Sequence, residues 1–154
     1  MSLNKDLRSI IGADAVGAIV DGTVLGMDTA SGLTRVKVGR GELKVQVAHV
    51  AVGTKLRVQL LARDLIVATQ APQHLSVRNI LSGVVTTVTS DDAESDLVAI
   101  DIGGTLIMAR VTKAATRELA LRAGLPAWAL VKAVSLRSHS FAAPAAISTA
   151  RPSA

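Results

Sequence analysis

The feature that most constrains this chain is a run of short apolar segments and glycine turns that passes through once and then repeats. From Gly22 the order is Gly-Thr-Val-Leu-Gly, a polar turn at Asp28 to Gly32, an alternating segment from Leu33 to Val38, a glycine turn, Leu43 to Val47, then Gly53 and Leu56 to Val67. From Gly83 it resumes as Gly-Val-Val-Thr-Thr, a polar turn at Ser90 to Ser95, Leu97 to Ile102, a glycine turn, Leu106 to Val111, Gly124, and Trp128 to Leu136. Segments rich in Val, Ile and Leu and broken at this spacing belong to small all-β barrels or sandwiches. Recurrence in the same order marks a tandem duplication of about five strands per copy.

Only the second copy carries a convincing helix signal. Lys113 to Arg122 follows Thr112 as N-cap, with Gly124 just past the end and Pro126 as a stop. The counterpart in the first copy, near His49 to Val52, is shorter. A five-stranded unit with one helix between its third and fourth strands is OB-like. The expected fold class is therefore all-β with one short helix, built as tandem OB-like five-stranded β-barrels. Residues 1–18 read as an N-terminal segment, part cloning remnant at Met1-Ser2-Leu3 or the end of a preceding domain. Residues 19–71 form the first unit and 72–137 the second, joined by a linker at Gln70 to Leu75. Residues 138–154, rich in Ala, Ser and Pro, read as a disordered tail.

Composition narrows the function classes. The 154 residues are 49% hydrophobic, enough for a core, and include no cysteine, so a reducing, cytoplasmic setting is the default. No signal-peptide pattern opens the chain, and charges or glycines interrupt each apolar stretch well short of the roughly 18 residues that a membrane helix needs. Lys and Arg exceed Asp and Glu by 17 to 12, a net charge of +5 that favours anionic partners. Nucleic acid is one such partner, but Trp128 and Phe141 are the only aromatics, and single-strand binders present several stacking platforms.

Three places carry oxyanion chemistry. In Ser76-Val77-Arg78-Asn79 an extended backbone would place Ser76 and Arg78 on one face, a neutral donor beside a charged fork of donors; a solvated linker arginine is the plain alternative. Thr112 stands at a helix start, where unpaired N–H groups favour anions, although simple N-capping accounts for a threonine there equally well. Lys132 interrupts Trp128-Ala129-Leu130-Val131 and Ala133-Val134, a run suited to a buried strand. Aligning the copies through Ala62 and Ala133 puts Leu61 opposite Lys132, so the charge asks for a reason, with snorkelling from a strand edge as the other account.

Ser-x-Arg-Asn before a Gly-led strand, Val-Thr before a helix, and Val-Lys-Ala near the end together resemble the molybdate-binding Mop (TOBE) domain across Leu75 to Leu136. The preceding half, with Leu33-Thr34-Arg35 and Leu61-Ala62-Arg63-Asp64, resembles the first copy of the tandem C-terminal region in the ATP-binding subunit of molybdate ABC importers. The resemblance implies an OB-like fold, binding of molybdate or tungstate, and a homodimer with anion sites between subunits. It also implies roles: Ser76, Arg78 and Lys132 contact the oxyanion, Thr112 contributes from the helix start, and Asn79 and Ala133 shape the site. Val77 stands where the family often has Ala, and Val134 where Pro is frequent. The first copy lacks both motifs, which argues against a second full site.

Donor-only pockets suit molybdate, a fully deprotonated tetrahedral dianion at neutral pH; a monoprotonated phosphate brings a hydroxyl whose mismatch costs about 1–3 kcal/mol. An enzymatic rival is Val98-Ala99-Ile100-Asp101-Ile102-Gly103-Gly104-Thr105, which resembles the phosphate loop of actin-like sugar kinases, but a Gly pair between strands is ordinarily a hairpin turn. His49, His74 and His139 are isolated, and Asp91, Asp92, Glu94 and Asp96 read as a solvated turn without calcium-loop spacing. No Gly-x-x-x-x-Gly-Lys-Ser/Thr stretch occurs. The expectation is a chain without catalysis or cofactor: a cytoplasmic oxyanion-binding regulatory piece of an importer ATPase subunit, peripheral to the membrane only through that subunit. A stand-alone molybdate-binding or storage protein and an OB-type nucleic-acid module are the alternatives.

Overall fold

The computed structural model describes residues 16–47, 50–133 and 136–140. The described residues form β1 (Gly17–Asp28), β2 (Leu33–Val38), β3 (Gly41–Val45), β4 (Lys55–Leu61), β5 (Ile66–Ala68), β6 (Asn79–Ser90), β7 (Ser95–Asp101), β8 (Leu106–Thr112), β9 (Pro126–Val131) and β10 (Arg137–Ser140). A single helix among them, α1 (Lys113–Glu118), lies between β8 and β9. The described residues are mainly β, with one short α-helix and a 3-10 turn at Ala62–Asp64, in two five-stranded antiparallel sheets ordered β10-β4-β1-β2-β3 and β5-β9-β6-β7-β8.

Each sheet borrows one strand from the other copy. β5, from the first half of the chain, pairs with β9, and β10, from the second half, pairs with β4. The two exchanges share one register: Ile66 faces Leu130, and Arg137 faces Gln59, equivalent pairs when Ala62 is aligned with Ala133. The long strands carry the same irregularity, with slips between Val24 and Gly26 in β1 and between Val85 and Thr87 in β6. Each slip frees a carbonyl that a later glycine N–H binds, Gly53 to Val24 at 2.8 Å and Gly124 to Val85 at 2.7 Å. The duplication is thus visible in backbone geometry as well as in residue pattern.

Alternation along these strands buries one face of each sheet in a single shared core. Val24, Val36, Leu43, Leu56 and Val58 pack from the first sheet with Leu81, Ile100, Ile102 and Ile107 from the second. A core common to both copies and the exchanged strands mean that segments 19–71 and 72–137 do not each close a sheet from their own residues. The β2–β3 turn also docks on the β7–β8 turn, where Arg40 N–H donates to the Ile102 carbonyl at 2.8 Å and the Arg40 stem lies against Gly103. Gly103 has φ 103°, and a Cβ there would collide with that stem.

Local differences from the sequence reading have physical causes. The helix stops at Glu118 rather than reaching Arg122, because Ala120 adopts φ 53° and Leu121 N–H reaches back to the Thr116 carbonyl at 3.0 Å. That closure is a left-handed helix stop. Ser138 to Ser140, expected in the tail, belong to β10, since β4 offers them an open edge. Phe141 and the residues beyond it, the terminal segment before Val16, and Ala48 and His49 of the supposed first-copy helix lie outside the described residues.

Candidate oxyanion site and its family

Lys132 and Arg78 flank one end of a strand ladder. β6 and β9 pair antiparallel with Asn79 opposite Val131 as the last pair, and Arg78 and Lys132 are the next residues along the chain on either side. Both are exposed, and neither has an acidic partner among the described residues. Ser76, also exposed, lies two residues further along the same arm, and Ala133, half-buried, follows Lys132. The end of the β6–β9 ladder is therefore flanked by two exposed cations.

Asn79 is 1% exposed and serves this rim from below. Its side-chain oxygen accepts from Lys44 N–H at 2.7 Å, and its amide donates to the Lys44 carbonyl at 3.0 Å. β3 is the edge strand of the first sheet, so the amide acts as a surrogate peptide that satisfies an exposed edge. With both groups engaged there, Asn79 shapes and anchors the arm that carries Arg78.

Thr112 lies elsewhere. It pairs with Ser95 at the end of β8, while Ser90 at the far end of β6 pairs with Asp96, so Thr112 and Arg78 are at opposite ends of β6. Its Oγ1 accepts from Ala115 N–H at 3.0 Å and caps α1. It lines a cavity together with Arg63, Asp92, Glu94, Ser95 and Arg110. Within one chain, then, the six residues form a rim of five and a distant sixth.

The acidic turn beside Thr112 is exposed at Asp92 to Glu94 and is also bound by cations. Arg110 binds Asp91 and Asp92, each at 2.8 Å, and Lys113 binds Asp96 at 2.6 Å. Asp92 Oδ1 accepts from the N–H groups of Glu94 at 2.9 Å and Ser95 at 2.8 Å. The Glu94 N–H first, then the Ser95 hydroxyl, Arg110 and the Ser95 N–H, hold the Asp92 carboxyl far below its usual range. Lys113 first, then Thr116, lowers the Asp96 carboxyl. The signal missed in the sequence was the pair of cations after Val98-to-Thr105, which a hairpin register returns to the turn.

The Gly103-Gly104 pair is a hairpin turn. Asp101 Oδ1 accepts from both glycine N–H groups, at 2.9 and 2.7 Å, so the donors a phosphate would need are occupied by a side chain of the same strand. Among the described residues no group of three His, Cys, Asp or Glu side chains is placed to hold a metal, and no helix is long and apolar enough to cross a membrane.

The tandem OB-like fold defines a class, and comparison with known families agrees: residues 75–137 match the TOBE domain. Beyond that segment, the chain is similar to the molybdenum import ATP-binding proteins ModC. It is 36% identical to the protein of that name from Mesorhizobium japonicum over 77% of this chain and 32% of the relative. To that from Pseudomonas syringae pv. syringae it is 35% identical over 85% of this chain and 37% of the relative. The chain thus spans about a third of the length of these relatives. In structure it is similar to the cytoplasmic molybdate-binding protein ModG with molybdate bound, at 27% identity and a TM-score of 0.68, covering 79% of this chain and 94% of that chain.

Proposed function

We propose that this chain binds molybdate or tungstate as a tetrahedral oxyanion, in the cytoplasm, and that it does so as the regulatory region of a molybdate importer's ATP-binding subunit. The observation that supports the reading is that Arg78 and Lys132 directly follow the last pair of the β6–β9 ladder, Asn79 and Val131, without a neutralising acid among the described residues. Two fixed cations and the Ser76 hydroxyl offer an oxyanion charge-assisted hydrogen bonds and no acceptor that would favour a protonated competitor. Because Thr112 lies at the other end of β6, a site using the whole set takes Thr112 from a second copy. Binding then stabilises a homodimer, and through it one arrangement of the attached ATPase subunits. A hundredfold preference for that arrangement is worth about 2.7 kcal/mol. The chain itself contributes no catalysis under this reading; ATP hydrolysis belongs to the rest of the importer subunit.

A second reading, a stand-alone molybdate-binding protein, is favoured by the coverage of ModG, 94% of whose chain is matched, against about a third of the ATPase relatives. Both share one test: titration calorimetry of the purified chain with molybdate and tungstate, using sulfate and phosphate at matched ionic strength. Saturable heat with molybdate, lost in Arg78→Ala and Lys132→Ala variants that keep the fold, is expected. Equal heat with all four anions, or unchanged affinity in both variants, defeats the assignment. The ATPase connection is tested separately, by molybdate inhibition of transport in the intact importer.

A further inference from the structure

The duplicated fold supplies an internal control for one surface recess. Gly22 corresponds to Gly83 and Gly53 to Gly124, so the Asp21–Arg57 and Thr23–Lys55 pairs of the first sheet correspond to Ser82–Trp128 and Val84–Pro126 of the second. In the first sheet these polar side chains satisfy one another: Arg57 pairs with Asp21 at 3.9 Å, and Lys55 donates to the Thr23 hydroxyl at 3.0 Å. In the second sheet the same four positions make an apolar floor of Trp128, Val84 and Pro126 beside a single hydroxyl, Ser82. Arg40 of the β2–β3 turn and Asp101 at the end of β7 stand at its sides, and the recess they border has a volume of about 230 Å³.

We infer that this recess binds a small zwitterion with an apolar body, of the class of α-amino acids with large apolar side chains. The charges at its sides select that chemistry. Arg40 is exposed, Asp101 uses Oδ1 on the two glycine N–H groups of its own turn, and no ion pair joins the two among the described residues. Opposite charges that border one recess without meeting are satisfied together by a molecule that carries both signs. A net anion, molybdate included, would face the Asp101 carboxylate, and a net cation would face Arg40. The ligand carboxylate takes the guanidinium fork of Arg40, its ammonium takes the other Asp101 oxygen, and its side chain covers the Trp128 ring, removing apolar surface from water. At about 230 Å³ the recess lies below the roughly 300 Å³ at which clefts for drug-sized ligands begin, so it suits a molecule of amino-acid size. The site does not depend on the oxyanion reading, since Ser82 stands four residues from Arg78, about 13 Å of extended chain.

Trp128 is the only tryptophan in the chain, so its fluorescence reads the recess directly. The test titrates the full 154-residue chain with L-leucine, following Trp128 emission and heat. Glycine, N-acetyl-L-leucine and L-leucine amide remove the side chain, the ammonium and the carboxylate in turn. A saturable response to leucine, about tenfold weaker or more with each analogue, is expected. Arg40→Gln keeps a stem against Gly103, and Asp101→Asn keeps an acceptor for the turn. Each should weaken leucine binding about tenfold or more, because each removes a charge-assisted hydrogen bond. Arg57→Gln, at the first-sheet counterpart of Trp128, should leave binding unchanged, and circular dichroism checks each fold. No saturation with millimolar leucine overturns the inference, as do equal responses to all four compounds or an affinity unchanged in both recess variants. If leucine fails to bind and Arg40→Gln weakens association of the chain in sedimentation velocity, the recess belongs to a protein contact and the inference falls. Molybdate heat should be the same with and without leucine; mutual exclusion would put leucine on the oxyanion rim and also overturns it.

Discussion

Asn79, Asp96 and Arg78 show how differently single side chains can be read. Arg78 stood out in sequence as a candidate donor because its neighbours, Ser76 and Asn79, form a short local motif. Asn79 was legible only as part of that motif, since its partner Lys44 lies 35 residues earlier. Asn79→Leu leaves both Lys44 backbone groups unpaired on a part-buried edge, and should lower stability by about 1–3 kcal/mol in denaturant unfolding. Asp96 has a depressed folded-state pKa, caused first by Lys113. A carboxyl lower in the folded than in the unfolded state contributes stability above its unfolded value of about 4, and that contribution vanishes as pH falls through the folded value. Thermal melts should therefore show Asp96→Asn less stable than wild type at pH 7, with the gap closing below about pH 4. A gap that persists at pH 2 would assign the loss to packing.

At the scale of the element, strands were more readable than stops. Period-2 alternation places β2 directly, because alternate burial is what a half-covered sheet demands. The helix start was equally plain in Thr112, whose side chain can bond only the turn that follows it. The end at Ala120 was not, because nothing in an alanine announces a left-handed backbone; Gly124 drew the eye, and it serves the β6 bulge instead. Ala120→Gly removes a steric cost of about 1 kcal/mol and should raise the melting temperature by about 2–4 °C. A fall in melting temperature would show that the methyl group's contacts outweigh its strain.

The whole molecule is one cooperative unit made from two copies. β5 closes the second sheet and β10 the first, and one core spans both. Fragments 1–71 and 72–154 should accordingly be largely unfolded when separate, and gain sheet structure when mixed, by circular dichroism. The intact chain should unfold in one transition, with coincident far-ultraviolet and Trp128 fluorescence curves. Two separated transitions would show that each half holds a stable sheet without its exchanged strand.

Residue order alone was enough for the strand segments, the duplication, the helix start and the donor motif, because each depends on residues close together along the chain. Only tertiary structure decided which copy each strand completes, that Asn79 closes the edge of β3, that the acidic turn is held by Arg110 and Lys113, and that Thr112 stands apart from Arg78. Those outcomes depend on pairings across dozens of residues, where hydrogen bonding on an open edge is equally available to β5 and β10. Burial in a shared core, which no local pattern encodes, selects between them.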